Sequence, residues 1–184
     1  MTNETTFLIL HGYQGSGTKH WQTWLASELE KAGKQVLYPA LPSKDQPSKN
    51  AWLQKLTETI KDIDSESLVV LAHSIGCSLW LHYANKNITK VPKMVYLVSP
   101  TTPDDRGIEE ISSFFPLPKI NLFPQREHYL MVASDNDPYM DIKEFKNLEL
   151  SLSIPFLFIP DAGHINVDAG YGEWPWILEE CLKH

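Results

Sequence analysis

The chain reads as an α/β domain built on a parallel sheet, and three observations carry that reading. Short apolar runs alternate with amphipathic stretches along the chain, six of the runs have the length and composition of strands, and no repeat, linker or low-complexity tract interrupts the alternation. Parallel strands must be joined by crossovers, and crossover helices cover the sheet on both faces.

The strands are placed at Thr6 to Leu10, Gln35 to Tyr38, Leu68 to Leu71, Met94 to Val98, His128 to Ala133 and Pro155 to Ile159. Between the first two, Trp21, Trp24, Leu25 and Leu29 recur at helical spacing, and the pattern stops at Gly33, a natural C-terminal cap. A second helix starts near Ser48 as N-cap and buries Trp52, Leu56, Ile60 and Ile63. Tryptophans at this spacing read as core packing in preference to ligand platforms.

Composition bounds what such a domain does. At 184 residues and 42% hydrophobic, the chain has material for one well-buried core and not for two, so residues 1–184 are expected to form a single domain. The net charge of -7, with both signs spread along the sequence, offers no basic stripe for nucleic acid and no polybasic patch for a membrane surface. Neither partner is expected. Met1 to Thr6 lacks a basic leader and Phe7 to Leu10 is too short for a signal or membrane segment, which points to a cytoplasmic protein. Two cysteines, Cys77 and Cys181, fit a reducing compartment and exclude a disulfide scaffold or a cysteine-based zinc site.

In a parallel sheet, ligands bind outside the carboxyl ends of the strands, so the chemistry is sought just after each strand. After the third stands Ala72-His73-Ser74-Ile75-Gly76, opening onto Cys77-Ser78-Leu79-Trp80-Leu81. A strand running into a helix through a serine flanked by small residues is how a nucleophile elbow reads. The serine takes positive φ, and the residues two before and two after it are small so that strand and helix approach. Ala72 replaces the usual first glycine, at the cost of one methyl group. Cys77, one helical turn on, reads as core.

After the first strand, His11-Gly12-Tyr13-Gln14-Gly15-Ser16-Gly17 is a glycine-rich turn with neither the dinucleotide fingerprint nor the P-loop ending. Beside a serine elbow its role becomes specific: the backbone NH groups of Tyr13 and Ile75 together form a candidate oxyanion hole. A serine also needs a base and an orienting carboxylate. The fifth strand is followed by Ser134-Asp135-Asn136-Asp137-Pro138-Tyr139 and the sixth by Asp161-Ala162-Gly163-His164-Ile165-Asn166, giving the order Ser, Asp, His. Asp137 is favoured as the acid, and Asp135, nearer the strand end, reads as a turn or supporting residue. Asp161 and Asp168 read as turn residues. His11 and His73 are expected to brace loops, while His20, His82, His128 and His184 read as ordinary helix, strand or tail positions. No histidine–carboxylate spacing implies a metal, and no cofactor is expected.

Together with Gly170-Tyr171-Gly172-Glu173-Trp174-Pro175, these segments resemble the small α/β-hydrolase family of YdeN-like and retinoblastoma-binding-protein-nine-like serine hydrolases, over nearly the whole chain. The resemblance implies a compact α/β-hydrolase fold with strand order 2-1-3-4-5-6. It further implies Ser74, Asp137 and His164 as the triad of a hydrolase without a cofactor, while the small extent of chain available as a cap favours a small acyl substrate. His11, Gly12, Phe114 and Phe115 are candidate pocket residues. The insertion from Ser99 to Pro124, with Phe114-Phe115-Pro116-Leu117-Pro118 and Leu122-Phe123-Pro124, is expected either to cover the pocket or to pack on the sheet edge. A monomer or small homo-oligomer is expected. Two other uses of the scaffold stay open at this level: a binding module without turnover, and acyl transfer or perhydrolysis by the same triad.

Overall fold

The computed structural model describes residues 4–87, 91–102, 108–119 and 125–184. Six parallel strands form one sheet in the order β2-β1-β3-β4-β5-β6, as predicted. They are β1 (Thr6–Leu10), β2 (Gln35–Leu37), β3 (Leu68–His73), β4 (Met94–Val98), β5 (Tyr129–Ala133) and β6 (Phe156–Phe158). Among the described residues five α-helices accompany them: α1 (Trp21–Lys31), α2 (Lys49–Ile60), α3 (Ile75–Asn87), α4 (Ile142–Leu152) and α5 (Pro175–Leu182).

Strand lengths depart from the sequence reading in a physically sensible way. The edge strands β2 and β6 are trimmed to three residues each, since an edge strand has only one neighbour to define its ends. β5 loses His128, which closes a short 3-10 turn, Gln125–His128. The central β3 is longer than expected because its ladder with β4 continues to the pair His73 and Val98. That extension delivers the strand directly into Ser74.

Side chains alternate between two buried layers. Leu8 and Leu10 of β1 join Val70, Ala72, Trp52, Leu56, Leu79 and Phe145 on the face covered by α2, α3 and α4. Phe7 and Ile9 join Val69, Leu71, Trp21, Leu25, Leu29 and Ile177 on the face covered by α1 and α5. Burial on both faces explains why the strands read as continuous apolar runs. Trp21 and Trp52 are fully buried, as packing residues should be; burying such a side chain contributes about 3 kcal/mol. Trp24 is only half-buried, and Ile63 lies beyond the end of α2 and is also half-buried, so neither is the core anchor its spacing suggests. Helix ends follow local chemistry: Gly33 adopts φ 75° just past α1, and Asp141 with Glu144 forms a reciprocal capping box on α4. Among the described residues, no helix is long and apolar enough to cross a membrane.

Candidate active site

The elbow is built by close approach. Ser74 sits between β3 and α3 with φ 56°, a conformation that costs about 1–3 kcal/mol and must be held by its surroundings. Its amide donates to Val98 O at 3.0 Å, and its carbonyl accepts from Cys77 N at 2.9 Å. A Cβ at Gly76 would lie 2.5 Å from Leu10 O and 2.8 Å from His11 O, so only glycine lets α3 start against the end of β1. A Cβ at Gly12 would lie 2.7 Å from Ser74 Cβ. Ala72 is fully buried in register between Leu10 and Leu97, where its methyl fits. Cys77 is sealed in the core, its thiol bonded toward Ala72 O and Val98 O, and burial pushes its pKa well above the ordinary thiol value. It has neither the access nor the ionisation of a nucleophile.

The glycine turn folds back over the serine. Gln14 and Gly15 take positive φ, with Gln14 N bonded to Lys44 O at 3.0 Å. Neither Tyr13 N nor Ile75 N has an acceptor among the described residues, and both residues border the same cavity as Ser74. The turn is anchored by Gln22, whose fully buried side chain donates to Leu10 O at 3.0 Å and Leu71 O at 3.3 Å while accepting from Ser16 Oγ at 2.7 Å. The sequence reading does not single out this residue; its signal is a glutamine on the inward face of an apolar helix. His11 braces the same region, donating from Nδ1 to Gly12 O at 2.8 Å and accepting Leu41 N at Nε2, 3.3 Å away.

On the far side, two loops are stitched together. Ser134 Oγ accepts from Ala162 N at 2.8 Å, Asp135 from Asp161 N at 2.8 Å, and Asn136 from Gly163 N at 2.6 Å. Three neighbouring side chains after β5 thus hold three successive amides of the loop that carries His164. Asp135 is a supporting residue, whereas Asp137 meets the imidazole: His164 Nδ1 lies 3.0 and 2.9 Å from the two carboxylate oxygens, with the Asp137 side chain 2% exposed. A carboxylate only accepts, so Nδ1 carries the proton of this bond, and Nε2 is the ring nitrogen left for proton exchange. Asp137 also accepts from Tyr139 N at 2.8 Å, and the Tyr139 ring meets the His164 ring edge-on at 4.6 Å. From behind, His73 Nε2 donates to His164 O at 2.9 Å, and Trp21 Nε1 donates to Ile165 O at 2.9 Å. The Gly170–Pro175 segment finds its purpose here: Tyr171 O accepts from Trp21 N at 3.2 Å and Trp174 packs edge-on against the Trp21 ring, steadying the residue that steadies the histidine loop.

Ser74, His164, Gly12, Tyr13 and Ile75 all border one cavity of about 300 Å³. Ser74 Oγ makes no hydrogen bond among the described residues; such contacts often tighten only when substrate is present. Three of the four pocket candidates named from the sequence lie elsewhere. His11 is packed edge-on against Trp52 with both ring nitrogens engaged, and Phe114 is fully buried against Trp52 at 5.2 Å. Phe115 is half-buried and packs on the same core cluster. Aromatic area is better spent in the core than at a rim, and the insertion instead supplies Ile108 and Ile111 to the wall. His82 pins this segment by donating from Nε2 to Phe114 O at 2.8 Å. Leu122-Phe123-Pro124 and residues 103–107 lie outside the described residues. Two residues read as bystanders do border the cavity, His20 and Asp168. Among the described residues, no group of three or more His, Cys, Asp or Glu is arranged to hold a metal ion.

The chain is similar to known proteins over nearly its full length. It is 26% identical over 181 residues to YdeN of Bacillus subtilis (strain 168), covering 96% of this chain and 94% of that one. The crystal structure of the ydeN gene product superposes with a TM-score of 0.85 at 22% identity, covering 97% of each chain. The thioesterase domain from the curacin biosynthetic pathway shares the fold at a TM-score of 0.66 and 14% identity, over 98% of this chain and 91% of that one. The model of the serine hydrolase family matches residues 7–183, and the chain belongs to that family.

Proposed function

We propose that this hydrolase cleaves small carboxylic esters through an acyl-enzyme on Ser74. His164 Nε2 takes the serine proton as Oγ attacks the ester carbonyl carbon. Asp137 holds the ring and stabilises the imidazolium, and the amides of Tyr13 and Ile75 receive the developing oxyanion. His164 then gives its proton to the departing alcohol, and water repeats the sequence to release the acid. The observation that carries the reading is convergence: a serine at positive φ, an imidazole fixed by a buried carboxylate and two amides without acceptors among the described residues meet at one cavity. The cavity is at the small end of ligand pockets, which favours short acyl groups over lipid chains.

Hydrolysis of p-nitrophenyl acetate by the wild type, Ser74→Ala and His164→Ala tests this. Each variant is expected to lower kcat/KM by about a thousandfold or more. Wild-type rates in Ser74→Ala sink the proposal.

A further inference from the structure

His20 is a cavity residue whose hydrogen-bonding state is fixed and whose role the triad chemistry leaves open. It forms the N-cap of α1, and its Nδ1 accepts from Gln22 N at 3.2 Å. A neutral ring whose Nδ1 accepts carries its proton on Nε2. That Nε2–H has no acceptor among the described residues, yet it is not among the buried polar atoms shut away without a partner. For a residue only 6% exposed that borders the cavity, the remaining opening is the cavity itself.

The ring is held in place by its neighbours, 5.0 Å from the His73 ring and 5.7 Å from that of Trp21. The His73 ring is in turn 4.9 Å from the His164 ring. His20 therefore stands on the wall shared with the residue that protonates the departing alcohol, while Ile75, Ile108 and Ile111 supply apolar surface for an acyl group. Burial, reinforced by the charges of His164 and His11, lowers the pKa of His20 to about 4, so it donates without being a cation. A lysine or arginine here would oppose the imidazolium that forms on His164; a neutral histidine donor does not.

We propose that His20 Nε2–H is a specificity-determining donor that reads the leaving group, so that the enzyme takes esters of alcohols bearing a neutral ether or hydroxyl oxygen in preference to plain alkyl esters. This rests on the ester-cleavage reading above. In the free enzyme the donor is met by water; an alkyl leaving group displaces that water and returns nothing, whereas an oxygen replaces the bond.

The matched pair 2-methoxyethyl acetate and butyl acetate tests the assignment, since one oxygen replaces one methylene. The ratio of their kcat/KM values, divided by the ratio of their hydroxide-catalysed rates, is expected to be about ten in the wild type. His20→Asn and His20→Ser retain an oxygen to cap Gln22 N but do not extend a donor into the cavity, and in both the ratio is expected to fall to about one. Labelling of Ser74 by a fluorophosphonate is followed in the same samples. A wild-type ratio near one, or a ratio unchanged in the variants, overturns the role of His20 while labelling persists. Loss of both labelling and hydrolysis in the wild type overturns the ester-cleavage reading and this inference with it.

Discussion

The two sides of the site are held by different physics. The elbow and its close approach to the glycine turn are fixed by steric exclusion: Gly76 and Gly12 stand where a single Cβ would collide with Leu10 O or with Ser74. The acid and histidine loops are fixed by polar ties, with Ser134, Asp135 and Asn136 bonded across to the amides of 161–163. Steric exclusion is all or nothing, whereas a set of hydrogen bonds yields one bond at a time. The first side should therefore fail abruptly under substitution and the second gradually.

The largest expected effect follows from Gly76→Ala. Its methyl would meet two backbone carbonyls within 3.0 Å, neither of which moves without shifting β1 or α3. A loss of about 3 kcal/mol in urea-midpoint stability is expected, with esterase activity lost as well. A variant as stable and active as the wild type would mean that the elbow is held by something other than close packing.

Ser134→Ala probes the other side. It orphans the buried amide of Ala162, for which a cost of about 2 kcal/mol is expected, and it loosens the His164 loop. A drop in kcat of about tenfold with little change in KM is the expected result, because the Ser134–Ala162 tie positions His164, the proposed base, and neither residue of the tie borders the cavity. An effect confined to KM would contradict that division.

The last effect is one of pH and is read on stability alone. Burial, the largest cause, lowers the folded-state pKa of His20 to about 4 and holds that of His73 well below the ordinary histidine value, with the charge of His164 adding to both. Burial lowers His11 likewise, opposed in part by its bond to Gly12 O and reinforced by Lys44. The unfolded chain binds protons at these sites near pH 6.5 while the folded chain refuses them, so stability is complete above about 6.5 and is lost as pH falls toward 4. For His20 alone the loss approaches about 3 kcal/mol at the lower end. Melting temperatures between pH 7.5 and 4.5 should fall, and His20→Asn should fall less steeply. Equal slopes would show that His20 does not titrate between the two states.

The same contrast governs what is legible in the sequence. The elbow is legible because steric exclusion writes itself into composition: small residues two before and two after a serine at a strand end. The order Ser74, Asp137, His164 and the six apolar runs are legible for a similar reason, since burial on both faces leaves continuous hydrophobic segments. The polar ties are not. Ser134 and Asn136 look like any turn residues, because a side-chain bond to a distant amide leaves no local pattern. Gln22 and His20 escape notice for the same cause, and Phe114 misleads because an aromatic residue in an insertion reads equally well as rim or core. Here the core needs it beside Trp52.

The central claim is that Ser74 is the nucleophile, and the most direct measurement is mass spectrometry of the intact and digested protein after reaction with a fluorophosphonate. One adduct per chain, mapped to Ser74, absent from Ser74→Ala and greatly slowed in His164→Ala, is the predicted result. An adduct on another residue, or an unlabelled chain that still hydrolyses esters, would contradict the account.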